Sequence, residues 1–355
     1  IDSRTTVPNP VSGGAPVSNS DFGKLVARVN VSVPGVATGT MVKVKAAAVT
    51  NDLSRVYVTL PNQHAVAVFD AITLQQIDVD PSTAAIDVIT LPGDAVPFEI
   101  AIDPRDKYAY VTDEFPLSGG TGRFFRIDIE ANVSTYHTVE SYSILPALGG
   151  LRGIAVNADG SQLIVAASML RTIWYWPGRA DPVEGRVYAV NLDGTNAPVL
   201  GQTLTVGVDP YAVTATHDPD RVGFTNRGSD AKGFAMLTRT GGSWSQSSLA
   251  LSLGSPTDPF EVNDGQAIAF SPDLSYAFVS GYNFYQEGVV SRDEALAYAD
   301  SPTNLLWRLQ NELQPVSRIT PKKEEPDTAS FTEITLDVRP DDGKPPAAAP
   351  WMVKK

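Results

Sequence analysis

The sequence contains no cysteine in 355 residues. Disulfides, thiolate metal sites and thiol catalysis are therefore excluded. Histidine is almost absent: His64, His137 and His217 are the only three. No two of them have the spacing of a metal-binding pair, so a histidine-built metal centre is not written here. The chain also lacks a Gly-x-Ser-x-Gly elbow, a His-Glu-x-x-His motif and a P-loop. No apolar run is long enough to span a bilayer as a helix. Basic residues are in the minority, 27 Lys and Arg against 40 Asp and Glu, for a net charge of −13. Such a surface repels polyphosphates, which argues against nucleic acid and anionic membrane as partners. The opening Ile1-Asp2-Ser3-Arg4 lacks the basic-then-apolar order of a secretory leader, and the expectation is a processed or excised piece.

What the chain does have is a repeat. Gly153-Ile154-Ala155-Val156-Asn157-Ala158-Asp159-Gly160-Ser161-Gln162-Leu163-Ile164-Val165-Ala166 reads as strand, tight polar turn, strand. Asn, Asp and Gly tolerate the left-handed backbone that a short hairpin needs. Four more copies occur, around Val49, Ala101, Ala215 and Ala269. Taken with Ala155, these positions are separated by 52, 54, 60 and 54 residues. After the hairpins come further strand-like runs, among them 65–70 and 86–91, 124–129 and 136–144, and 186–191 and 202–206. Four strands per unit at a period of about 50 residues is the pattern of a propeller blade, in which radial repetition hides the sheet edges.

The second strands carry Tyr57-Val58-Thr59-Leu60 and Tyr110-Val111-Thr112-Asp113, with weaker matches at Phe278-Val279-Ser280-Gly281 and Ile164-Val165-Ala166-Ala167. With the polar turn that precedes them, these runs resemble the YVTN-repeat (YncE-like) β-propeller family over about residues 44–340. The resemblance implies an all-β propeller of four-stranded blades. Five repeats are visible, and about five to seven blades fit. Residues 1–20, rich in Pro, Gly, Ser and Asn, read as a linker or arm. Residues 21–340 form the propeller domain, and 341–355 form an extended tail. The run Lys24–Gly35 reads as a strand like a blade's fourth, so the N-terminus is expected to complete a blade begun at the C-terminus. The run 331–338 reads as a fourth strand of the fifth blade, and 321–327 as an exposed loop.

Two insertions break the period, at about 168–184 and 282–303. The first contains Trp174-Tyr175-Trp176, flanked by Arg171 and Arg179. Trp, Tyr and Arg are the usual anchors of an interface, so this loop is the expected interaction surface; the competing reading is a lid that buries its own aromatics. The second opens with Ser291 and Glu294, a capping box that predicts a short helix over 291–299.

In propellers of this type the first strand of each blade lines a central channel. One mouth is then expected at Ala46 and Ala47, Phe98 and Glu99, Arg152 and Gly153, Ala212 and Val213, and Gln266 and Ala267, with Phe98, Glu99, Arg152 and Gln266 the candidates for contact with a ligand. Asp103, Asp106, Asp113 and Glu114 are an oxygen-only set of the kind calcium takes, although Asp at a hairpin turn also serves its own backbone. No catalytic residue is assigned, and calcium is the one cofactor considered.

The expected function is a non-catalytic interaction or scaffold module that binds a protein or glycan partner, or neighbouring domains of a longer chain. The resemblance implies a bacterial secreted, cell-surface or periplasmic setting. Two alternatives stand beside it. One is a propeller enzyme, a lactonase-like hydrolase or quinone-dependent dehydrogenase with its site at a channel mouth. The other is a structural subunit of a larger assembly.

Overall fold

The computed structural model describes residues 6–7, 17–18, 29–37, 40, 42–169, 184–194, 196–226, 234–246, 264–270, 274, 277–282, 305–309, 315–322 and 333–336. Two bodies are distinct: residues 31–315, and residues 1–30 with 316–355. In the smaller one, β1 (Thr6–Val7) and β2 (Val17–Ser18) pair antiparallel, so the expected arm contains a short hairpin ladder.

The larger body is a succession of antiparallel sheets. Blade 1 contains β3 (Ala47–Val49), β4 (Arg55–Leu60), β5 (Ala65–Asp70), β6 (Gln76–Ile77) and β7 (Ile89–Thr90). Blade 2 contains β8 (Pro97–Ile102), β9 (Tyr108–Asp113), β10 (Thr121–Asp128) and β11 (Val139–Pro146). Blade 3 contains β12 (Leu151–Val156), β13 (Gln162–Ala167), β14 (Glu184–Asn191) and β15 (Val199–Val208). Blade 4 contains β16 (Pro210–Ala215), β17 (Arg221–Asn226), β18 (Phe234–Thr240) and β19 (Ser243–Gln246). In each of blades 2, 3 and 4 the four strands pair in chain order. The fifth repeat contributes β20 (Asp264–Phe270), β21 (Ala277–Tyr282) and β22 (Leu305–Leu309), also paired in order.

Alternation explains the packing. On β13, Ile164 and Ala166 turn toward blade 4 and join Val213, Val222, Phe224, Leu237 and Trp244. Their neighbours Leu163 and Val165 turn the other way and join Tyr110 and Phe124 of blade 2. Tyr57, Val66 and Val68 of blade 1 meet Ile100, Val111, Phe125 and Ile127 of blade 2 in the same manner. Each middle strand is therefore buried on both faces, which is why it reads as a continuous apolar run. Every Leu, Ile, Val or Phe so buried stabilises the fold by roughly 1.5–3 kcal/mol.

Three expectations need correction. The fourth strand of blade 1, expected at 86–91, is split: β6 pairs one half of β5 and β7 the other. Between them lies a polar turn in which Asp80 accepts from Ser82 and Asp78 accepts from the Asp87 amide. Such local side-chain bonds compete with a ladder. The N-terminal run is not a strand in its described part, 29–35. Val31 and Val33 pack on blade 1 beside Val58, Leu60 and Phe69, and residues 24–28 of the expected strand lie outside the described residues. The Gln76 side chain holds this segment as a strand would, accepting from Ser32 N at 2.7 Å and donating to Ser32 O at 2.8 Å. Finally, Pro321 and Lys322 are not loop but the end of β23 (Pro315–Lys322), which pairs with β24 (Glu333–Leu336). The helix expected over 291–299 and the aromatic insertion, Arg171, Trp174, Tyr175, Trp176 and Arg179 included, lie outside the described residues.

Candidate functional site

The first strand of each described blade carries an irregularity at its start. In blade 2, Pro97 faces Asp113 and Ile100 faces Val111, so Phe98 and Glu99 together oppose Thr112. In blade 3, Arg152 and Gly153 oppose Ala166. In blade 4, Tyr211 and Ala212 oppose Thr225. Gln266 is the extra residue on β20. Blade 1 has the same arrangement just before β3, where Lys45 N donates to Thr59 O and Thr59 N donates to Ala46 O. These are β-bulges, which bend a strand and re-aim its side chains.

The Thr of Tyr-Val-Thr holds the bulge. Thr59 Oγ1 accepts from Ala46 N at 2.9 Å, Thr112 Oγ1 from Glu99 N at 3.1 Å, and Thr225 Oγ1 from Ala212 N at 3.0 Å. The same hydroxyl stitches one blade to the next. Thr59 Oγ1 donates to Phe98 O at 3.1 Å, and Thr112 Oγ1 donates to Arg152 O at 2.6 Å. Thr59 and Thr112 are fully buried. In blade 3 the position is Ala166, and the hydroxyl is missing.

The first residues of four bulges converge. Lys45 Nζ donates to the Tyr211 hydroxyl at 3.0 Å and lies 4.0 Å from the Phe98 ring centre. Arg152 Cζ is 5.3 Å from the same ring, and Tyr211 meets Phe98 edge-on at 5.3 Å and 88°. Two cations thus flank one buried aromatic ring, an arrangement favoured by the ring quadrupole. The Arg152 guanidinium is almost wholly enclosed; its Nη1 donates to Glu114 O at 2.9 Å and lies 3.7 Å from Glu114 Oε1. Glu99 sits half-buried beside this group. Burial pushes its carboxyl above the usual range, and nearby Lys45 acts in the opposite sense. At Gly153, an added Cβ would lie 2.4 Å from Val213 N and 2.5 Å from Tyr211 O. Glycine is required there because two inner strands approach too closely for a side chain.

The sequence reading named Phe98, Glu99, Arg152 and Gln266 as channel-mouth residues, and all four stand at bulges. It missed Lys45 and Tyr211, naming Ala46 and Ala212 instead. Counting back from the hairpin goes wrong by one residue where the bulge falls one position earlier.

The four proposed calcium ligands do not form one set. Asp103 and Asp106 close the β8–β9 turn, whereas Asp113 and Glu114 lie at the far end of β9, about 17 Å away at 3.4 Å per residue. Asp106 accepts from Asn51 N, Asn51 Nδ2 and Asp52 N of blade 1, and Asp103 Oδ1 accepts from Arg105 N. Asp113 is held by Arg123 Nε and Nη2, at 2.8 and 2.6 Å. Among the described residues no group of three or more His, Asp or Glu side chains converges on a metal position. The histidines are scattered. His217 occupies the β16–β17 turn, His64 caps the short 3-10 turn Pro61–Gln63, and His137 lies between β10 and β11 under Tyr136, facing Tyr57.

No family model matches the sequence, and no curated protein does. Similarity is found among solved structures. Hydrazine synthase of Kuenenia stuttgartiensis aligns with TM-score 0.50 at 14% identity, over 78% of this chain and 66% of that one. A functionally unknown protein from Desulfotomaculum acetoxidans gives 0.50 at 14%, over 78% and 71%. A candidate 6-phosphogluconolactonase from Bacteroides uniformis gives 0.50 at 13%, over 85% and 82%. The fold is a β-propeller. At these identities the likeness carries the fold alone, and propellers host enzymes and binding modules alike.

Proposed function

We propose that the chain is a non-catalytic β-propeller interaction module of a secreted or cell-surface protein, binding a protein or glycan partner. The observation that carries this reading is the bulge cluster. Four consecutive blades deliver Lys45, Phe98, Arg152 and Tyr211 to one place, three of them on strands and Lys45 just before one. Arg and Tyr on a rigid frame are the composition of a binding anchor. The sequence of the insertion, with Trp174, Tyr175 and Trp176 between Arg171 and Arg179, has the same composition. The likeness to YVTN propellers supports the secreted or cell-surface setting.

Association is the test. The chain is probed against an array of bacterial surface glycans and against isolated surface proteins. Trp174→Ala with Trp176→Ala, and separately Lys45→Ala with Tyr211→Ala, should each weaken a saturable interaction at least tenfold, which is about 1.4 kcal/mol. Melting temperature should barely change. If the loop variant melts much lower and associates normally, the loop is a packing lid.

Glu99 favours a second reading, a lactonase-like hydrolase. A carboxyl raised by burial at a mouth is the kind of group that transfers protons. Hydrolysis of sugar lactones that is abolished by Glu99→Gln would replace the interaction reading with this one.

A further inference from the structure

The repeat offers an internal comparison between blades 2 and 4. In blade 2, Asp113 ends β9 and faces Pro97, the first residue of β8. All its acceptor capacity is used. Oδ1 accepts from Val96 N at 3.0 Å and Phe115 N at 3.3 Å, and Oδ2 accepts from Arg123. Arg123 Nη2 also reaches Asp94 Oδ1 at 2.8 Å. A guanidinium therefore fills this corner from within the chain.

In blade 4 the corresponding corner is Asn226, which ends β17 and faces Pro210, the first residue of β16. Asp209 stands immediately before that proline. Both side chains are buried, Asp209 at 5% and Asn226 at 2% exposure. Among the described residues neither Asp209 Oδ1 nor Asn226 Oδ1 has a hydrogen-bond partner. The missing donor can be traced by register. Phe124 faces Thr112 in blade 2 and Phe234 faces Thr225 in blade 4; Arg123 precedes the first in sequence, whereas Gly233, which has no side chain, precedes the second. A buried acceptor without a donor costs about 1–3 kcal/mol, and this corner has two.

We propose that the blade-4 corner, Asp209 Oδ1 with Asn226 Oδ1, is a subsite for a guanidinium group, the arginine side chain of a bound polypeptide. This rests on the interaction-module reading and specifies the partner's chemistry. Two planar side-chain oxygens present acceptors to a planar fork of N–H donors, as Asp113 and Asp94 do for Arg123 in blade 2. Two oxygens alone are few for a divalent metal, which takes six or more.

The probe is Nα-acetylarginine amide, with the uncharged isostere Nα-acetylcitrulline amide as control, titrated into the whole chain and followed by the Asn226 side-chain amide resonance and by melting temperature. The arginine compound should bind at least tenfold more tightly than the citrulline compound and raise the melting temperature. Asn226→Leu and Asp209→Asn should each weaken it severalfold; Asp209→Asn suits the left-handed backbone at φ 50° and guards against a folding failure. The Trp174 and Trp176 double variant should bind the arginine compound normally, so loss of partner association there and loss of arginine binding here are separable results. Equal shifts with both compounds, no binding by the native chain, or binding that appears only in Arg227→Ala or Lys232→Ala would overturn the proposal; the last outcome would assign the corner to the chain's own cation. Calcium that moves the Asn226 resonance while the arginine compound does not would overturn it too.

Discussion

Replacing Thr112 by Val tests whether one hydroxyl both fixes a bulge and joins two blades. The residue is fully buried, and Val keeps its shape. What is lost is the acceptor for Glu99 N at 3.1 Å and the donor to Arg152 O at 2.6 Å. Both of those backbone groups then stay buried without a partner, at about 1–3 kcal/mol each. The expected cost is about 2–4 kcal/mol. Thr112→Ser keeps the hydroxyl and loses a methyl, for about 1 kcal/mol. Urea unfolding followed by tryptophan fluorescence measures both. With a slope of about 3 kcal/mol per molar, Val should lower the midpoint by roughly 1 M and Ser by about a third of that. Equal losses for Val and Ser, or a Val cost below about 0.5 kcal/mol, would refute the argument, because packing would then explain the site without the hydroxyl.

Arg123→Met should destabilise by about 3–5 kcal/mol in the same assay, since it strands the fully buried Asp113 carboxylate without its cation. Leu53, two-thirds exposed with φ 58° in the first hairpin turn, should give a more stable protein as Gly. The left-handed penalty of about 1–2 kcal/mol exceeds the entropic cost of glycine, so a gain of up to about 1 kcal/mol is expected. His137 is held down at about 4 by burial and, secondarily, by Arg55. Its ordinary value of 6.5 belongs to the unfolded chain, which therefore takes up a proton first as pH falls. The stability contributed is complete above pH 6.5 and is lost as the pH drops to about 4, by about 2 kcal/mol once solvent screening of a partly buried ring is allowed for. Comparing the pH profile of His137→Gln with that of the native chain isolates this slope; identical profiles would disprove it.

Blade architecture was legible because the middle strands, buried on both faces, leave runs such as Leu163-Ile164-Val165-Ala166 that nothing else explains. Third strands were equally plain: Ala65–Asp70 was read to the residue. Outer strands were harder to place, since they are half exposed and their pairing depends on turn chemistry, as the split edge of blade 1 shows. The mouth was only partly visible. A bulge shifts the phase of a period-two pattern by one, and no composition rule says where it falls. The signal was nevertheless present in Thr59, Thr112 and Thr225, whose place after an apolar pair marks the bulge. Pairings such as Arg123 with Asp113 cannot be read from spacing, because they depend on which side chain the register brings to the corner.

Several seams between inner hairpins run the same way. Thr59 of blade 1 donates to blade 2, Thr112 of blade 2 to blade 3, and Thr214 of blade 4 to Ile268 of the fifth repeat. At the opposite end, Asn51 donates to Asp103 and Asp106, Arg105 to Asp159 O, and Asn157 to Pro219 O. In these seams the earlier blade supplies the proton and the later one the oxygen, whereas the bonds from Arg152 Nη1 to Glu114 O and from Arg239 to Asp159 run in the opposite sense. Each flank of a blade therefore meets a different flank of its neighbour, the relation of heterologous rather than two-fold contacts. Removing or duplicating one whole repeat leaves the same two kinds of flank facing each other, so this kind of chain can change its number of blades by unequal recombination without creating a new type of interface.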